Sequence, residues 1–119
     1  MPGAISKMCV IGAGAWGTAL AKHLAEKGLE VRLWAYERDV VHAINTSQEN
    51  PIFLKGVALP RALIATSSLE EASSSCDGLV FAVPSHATRL VLQKLRPFLS
   101  DPIPLICATK GIEEETAKL

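Results

Sequence analysis

The residues best suited to chemistry stand at the start of the chain. Gly12-Ala13-Gly14-Ala15-Trp16-Gly17 spells Gly-x-Gly-x-x-Gly. It follows a short apolar run and opens a helical pattern, which is the context a phosphate-cradling loop requires. Gly12 permits a tight turn out of a strand, Gly14 lets backbone approach a pyrophosphate, and Gly17 lets a helix pack close to a sheet. Backbone N–H groups and the positive end of the helix then face the anion. Trp16 is unusual inside such a loop, and either packs at the helix start or walls the ligand.

About 20 residues beyond such a loop an acidic side chain ordinarily meets a ribose 2′-hydroxyl. Here the sequence reads Ala35-Tyr36-Glu37-Arg38. Tyr36 is placed against adenine or ribose. Glu37 suits a free 2′-hydroxyl and Arg38 a 2′-phosphate, so NAD and NADP both stay open; a solvated helix start is the plainer reading of the pair. Two more segments sit where strands should end. Val83-Pro84-Ser85-His86 offers a rigid proline, a capping serine and a histidine, read as a polar first-turn residue with an acid–base role as the alternative. Ala108-Thr109-Lys110-Gly111 places an ammonium where it can meet a phosphate, a hydroxyl or a developing alkoxide. His23 and His42 lie away from these motifs and read as structural.

These motifs need a frame, and the apolar pattern supplies one. Met8 to Ile11 is a β-branched run suited to a strand buried on both faces. Ala15 to Lys27 is helical, with Trp16, Ala19, Leu20, His23 and Leu24 at helical spacing and Gly28 as its stop. A strand over Glu30 to Tyr36 follows, then a helix over Glu37 to Thr46 with Val40, Val41 and Ile44 on one face. Asn45 to Pro60 is irregular and long enough to suggest function. Leu63 to Ala65 is a third strand, and Ser68 with Glu71 forms a capping box. Leu79 to Val83 is a fourth strand. Ser85 caps a helix with Leu90, Val91, Lys94 and Leu95 at core spacing, which Pro97 ends. Ile103 to Ala108 is the last strand, with Pro104 at its start. Glu113 to Leu119 reads as a helix. Alternating strands and helices predict an α/β fold: a doubly wound parallel sheet of Rossmann type occupying residues 1–119.

Composition narrows the function classes. Hydrophobic residues are 49% and charged residues 20%, which argues against disorder. Twelve basic and twelve acidic residues cancel, so nothing favours a nucleic acid or a membrane surface held by bulk charge. No apolar run reaches the roughly 18 residues of a membrane span, and no signal peptide is legible. Cys9, Cys76 and Cys107 are odd in number and far apart. They read as small core residues rather than disulfides or metal ligands; no metal is expected, and a cytoplasmic location is.

Together, Gly-Ala-Gly-Ala-Trp-Gly-Thr-Ala-Leu-Ala (12 to 21), Val-Pro-Ser-His (83 to 86) and Ala-Thr-Lys-Gly-Ile-Glu (108 to 113) resemble the bacterial NAD(P)-dependent sn-glycerol-3-phosphate dehydrogenases. The middle stretch fits as well, through Ile44-Asn45, Asn50, Phe53-Leu54, Gly56 and Leu59-Pro60. The resemblance implies a cytoplasmic oxidoreductase. It would interconvert sn-glycerol 3-phosphate and dihydroxyacetone phosphate with NAD or NADP and feed phospholipid synthesis. It implies that Gly12, Gly14, Ala15, Trp16 and Gly17 hold the pyrophosphate, that Tyr36, Glu37 and Arg38 meet the adenosine, that Pro84 and Ser85 line the nicotinamide pocket, and that Lys110 contacts nicotinamide and substrate. Lys55 departs from the family's proline, and Ala15 from its serine or asparagine. The family's helical domain, which supplies the general acid/base, has no counterpart here. The chain is therefore expected to be a truncated cofactor half with no catalytic residue, binding a dinucleotide without turnover. A homodimer of the full-length protein is compatible with this reading. Two alternatives stand beside it: the cofactor domain of another two-domain hydroxy-acid dehydrogenase, and a nucleotide-sensing domain without catalysis.

Overall fold

A computed structural model describes residues 6–83, 85–99 and 104–107, without the side chains of Ser85, His86, Leu105 and Cys107. Pro84, Lys110 and the helix expected over Glu113 to Leu119 lie outside the described residues.

Five parallel strands form one sheet in the order β3-β2-β1-β4-β5. They are β1 (Lys7–Ile11), β2 (Glu30–Trp34), β3 (Leu63–Thr66), β4 (Gly78–Phe81) and β5 (Leu105–Cys107). Strand β1 lies between β2 and β4, in registers that pair Ile11 with Trp34 on one side and with Phe81 on the other. The chain builds outward from β1 to β3, then returns to build the other half, so the order reverses at β1 and β4. In open α/β sheets, the crevice at such a reversal is where ligands bind.

Both faces are covered, which explains why β1 reads as an unbroken apolar run. Successive residues point to opposite faces. Met8 and Val10 join Val31, Leu33 and Ala65 beneath α1 (Ala15–Glu26) and α2 (Arg38–Ser47), through Ala21, Ala25, Val40 and Ile44. Cys9 and Ile11 join Leu79 and Phe81 beneath α3 (Leu69–Ser73) and α4 (Ser85–Leu95), through Ala72, Val91 and Leu95. A single 3-10 turn, Arg96–Phe98, follows α4 and contains Pro97.

Several boundaries differ from the sequence reading, each for a local reason. Strand β2 ends at Trp34, and Tyr36 is already exposed beyond it. Trp34 itself is buried, although it alternates with the core residues of β2, because the second face is covered too and its indole Nε1 donates to Ser67 O at 3.0 Å. Strand β4 ends at Phe81 rather than Val83. The buried side of α1 is Gly17, Thr18, Ala21 and Ala25; Trp16 and His23 are exposed. Small residues there let the helix sit close to the sheet. In α4, Val91 and Leu95 are buried while Leu90 and Lys94 are exposed, so two of the four expected core positions face elsewhere. Ser85 is the first helical residue rather than the residue preceding the helix. Gly28 takes the left-handed conformation at φ 95° just beyond α1, as its place in the sequence predicts.

The capping box at α3 forms by half. Ser68 Oγ accepts from the Glu71 N–H at 3.2 Å. The Glu71 carboxylate reaches past Ser68 to accept from Thr66 Oγ1 at 2.8 Å, and that hydroxyl takes the Ser68 N–H at 3.0 Å. Thr66 thus relays the second half of the box. Cys9 and Cys76 are free thiols buried under the α3–α4 layer, as expected of core cysteines; the Cys107 side chain lies outside the description.

Candidate functional site

At the carboxyl ends of β1, β2 and β4 the sheet opens into a cleft of about 1770 Å³. Its floor is the glycine loop. The Gly12 N–H donates to Trp34 O at 2.9 Å and the Ala82 N–H to Ile11 O at 2.8 Å, so both neighbouring ladders run up to the turn. Gly12 sits at φ 119°, where L side chains are strained, and a Cβ there would lie 2.7 Å from Ala82 O. A Cβ on Gly17 would collide with the Gly12 carbonyl. These two glycines are therefore required by the turn itself. Gly14 differs, because nothing lies within 4 Å of the position its Cβ would take. It precedes α1 in extended conformation, and its carbonyl accepts the Thr18 N–H at 2.9 Å to start the helix. Gly14, at the N-cap position, brings no side chain to cap this helix end. Backbone is thus laid bare at a helix N-terminus, on the floor of a cleft, as a pyrophosphate cradle demands.

The walls come from both layers. Trp16 is 59% exposed and Tyr36 79% exposed, and both line the cleft with Phe53. Trp16 therefore stands on the wall of the cleft. Glu37, Arg38 and Asp39 follow Tyr36 along the rim. Glu37 precedes α2 without bonding to its first turn, so its carboxylate is not spent on capping. The opposite wall is α4, with Ala87, Leu90, Val91 and Lys94, and then Phe98.

Gly12, Gly14, Ala15, Trp16, Gly17, Tyr36, Glu37 and Arg38 are thus brought together on one cleft. Pro84 and Lys110 lie outside the described residues, and of Ser85 and His86 only the backbone, at the start of α4, is described. His23 and His42 are exposed and do not line the cleft. The sequence reading missed Trp34, Asp39, Leu90 and Lys94 as lining residues. A lysine at supposed core spacing was the available signal, since Lys94 shares its face with Leu90 one turn earlier. Among the described residues, the titratable groups with shifted pKa values, Cys9, Cys76 and Asp77, lie away from the cleft. No helix among the described residues is long and apolar enough to cross a membrane.

A family model described as the NAD-dependent glycerol-3-phosphate dehydrogenase N-terminus matches residues 7–119. A glycerol-3-phosphate dehydrogenase, NAD(P)+, of Bacillus mycoides is 45% identical over 114 residues, 96% of this chain and 34% of the relative. One from Geobacter sulfurreducens is 50% identical over 107 residues, 90% of this chain and 32% of the relative. The crystal structure of glycerol-3-phosphate dehydrogenase from Coxiella burnetii superposes with a TM-score of 0.84 at 31% identity, covering 96% of this chain and 37% of that one. The chain spans about a third of the length of these relatives.

Proposed function

The chain belongs to the family of NAD-dependent glycerol-3-phosphate dehydrogenase N-termini, and from that premise we propose that residues 1–119 are the dinucleotide-binding domain of an oxidoreductase. That enzyme interconverts sn-glycerol 3-phosphate and dihydroxyacetone phosphate, in the cytoplasm, toward phospholipid synthesis. When bound, the nicotinamide group supplies or accepts the hydride. The residues of this chain bind and orient.

The carrying observation is the bare backbone at Gly14, on the floor of a cleft at the point where strand order reverses. A pyrophosphate there meets N–H donors and the positive end of α1. Trp16, Tyr36 and Phe53 offer apolar faces to the adenosine, while Glu37 and Arg38 face its ribose. Pro84, Ser85 and Lys110 take the nicotinamide and substrate side, on the strength of the motifs they belong to. The general acid/base and the rest of the substrate phosphate site belong to residues of the full-length enzyme outside this chain, and a homodimer is its proposed assembly. The free thiols of Cys9 and Cys76 suit a reducing compartment.

Parallel titrations with NADH and NADPH test this. Trp16 and Trp34 both line the cleft, so binding is read as quenching of tryptophan emission with energy transfer to the reduced nicotinamide. Saturable binding of either dinucleotide supports the reading, and the ratio of the two affinities decides between Glu37 and Arg38. A flat titration with both, using folded protein, rejects it.

A further inference from the structure

Asn50 is a polar residue with no exposed surface, and it lies outside the glycine motif. Its Nδ2 donates to Ala13 O at 2.8 Å and to Thr18 Oγ1 at 2.9 Å. Its Oδ1 accepts the Phe53 N–H at 3.1 Å. Thr18, equally buried, donates its own hydroxyl to Ala13 O at 3.2 Å. A single carbonyl of the glycine loop is therefore held from two sides, by side chains from the middle stretch and from α1.

The peptide joining Ala13 to Gly14 is planar and trans, since no cis bond occurs among the described residues. In a trans peptide the C=O and the N–H point in opposite directions. Holding Ala13 O inward, against Asn50 and Thr18, aims the Gly14 N–H outward toward the cleft. Left unclamped, that peptide can rotate between residues of low steric restriction, because Gly14 has no Cβ and open space around it. The same Asn50 amide fixes the backbone of Phe53, an aromatic wall of the cleft.

We propose that Asn50, with Thr18, is a positioning residue for pyrophosphate binding: it locks the Ala13–Gly14 peptide so that the Gly14 N–H is pre-aimed at the anion. The idea rests on the dinucleotide reading above. Preorganisation of this kind raises affinity for a ligand that uses the donor and leaves other ligands unaffected. Adenosine occupies the Tyr36 end without a pyrophosphate, so it serves as the internal control.

The experiment titrates NADH and adenosine against the parent chain, Asn50→Ala, Thr18→Val and Thr18→Ser, and follows the Gly14 amide resonance by NMR. Thr18→Val keeps the shape and removes the hydroxyl, so it tests the clamp if Asn50→Ala does not fold. NADH binding is expected to weaken about tenfold in Asn50→Ala and less in Thr18→Val, on the scale of one lost buried hydrogen bond. Thr18→Ser is expected to restore it. In Thr18→Val, which leaves the Asn50–Phe53 bond in place, adenosine affinity should stay within about twofold, since no pyrophosphate is involved. The NADH-induced shift of the Gly14 amide should shrink in step with affinity. Equal losses for NADH and adenosine in Thr18→Val, or unchanged NADH binding in both Asn50→Ala and Thr18→Val, overturn the inference alone. Failure of the parent chain to bind NADH overturns the dinucleotide reading and the inference with it.

Discussion

The glycines of the loop differ in what a methyl group would meet. At Gly17 it would strike the Gly12 carbonyl, which is backbone and cannot step aside. Gly17→Ala is therefore expected to lower unfolding stability by about 1–3 kcal/mol, the usual cost of overpacking. At Gly14 a methyl group meets open space and an ordinary φ of −68°. Gly14→Ala is expected to leave unfolding stability within about 0.5 kcal/mol, while weakening NADH binding because it occupies the approach of the pyrophosphate. Chemical denaturation with NADH titration of both variants separates the two roles, and the assignment fails if Gly14→Ala is the less stable variant. The thiols make a second contrast. A hydrogen bond from the Cys9 thiol lowers the Cys76 pKa to about 7, helped by backbone N–H groups and the Lys7 charge, while burial opposes it. The same bond and deep burial push the Cys9 thiol far up. Only thiolate reacts. Cys76 alkylation by iodoacetamide is therefore expected to rise as pH passes through about 7 and to level off only above it, with Cys9 unlabelled in folded protein. Peptide mass mapping across pH checks this, and faster labelling of Cys9 would contradict it.

Between elements, one carboxylate ties the start of β1 to the approach to β4. Asp77 accepts from the Ser6 and Lys7 N–H groups at 2.9 and 3.0 Å, and from Ser6 Oγ at 3.2 Å. Those bonds, Ser6 first, hold its pKa below the usual carboxylate range. A carboxylate depressed in the folded state stabilises fully above its unfolded pKa, and that contribution disappears as pH falls through the folded value. Asp77→Asn should therefore lose stability at neutral pH and show a flatter decline in acid, below about pH 4; parallel acid limbs for parent and variant in denaturation across pH would count against the tie. Much of this architecture was legible in the sequence. Each strand is a local apolar run and each helix a local period, and right-handed crossovers leave little choice of order. The placement of the glycine loop and of Tyr36-Glu37-Arg38 at strand ends on one cleft was legible because it follows from neighbours a few residues away. Asn50 was not, since its partner Ala13 is 37 residues distant and nothing local marks the pairing. Leu90 and Lys94 were misplaced because periodicity finds a helix's rows but does not say which row meets the sheet. The Glu71 carboxylate bypassed Ser68 for a similar reason: Thr66, at the end of β3, offered a hydroxyl that only the tertiary arrangement brings near.

For the molecule as a whole, the cleft exists only when both halves of the sheet are assembled. Its floor hangs on β1, its rim on β2, and its far wall on α4 beyond β4. An unfolded chain keeps the glycine motif but neither the clamped loop nor the opposing aromatic walls, so a dinucleotide has nothing to bind in that state. Binding to the folded state alone stabilises by RT ln(1 + [L]/Kd), or about 2.7 kcal/mol at 100 times Kd. For a domain of 119 residues each kcal/mol moves the melting midpoint by roughly 4 °C. NADH at that excess is therefore expected to raise Tm by about 10 °C. Calorimetry of the parent chain and of Gly14→Ala checks it, because the variant should melt near the parent's unliganded midpoint yet respond weakly to NADH. A parent midpoint that does not move with NADH would show that the assembled cleft is not a dinucleotide site, whatever the sequence of its floor. Equal upward shifts in parent and variant would place the ligand elsewhere on the fold, away from the backbone that Gly14 leaves bare.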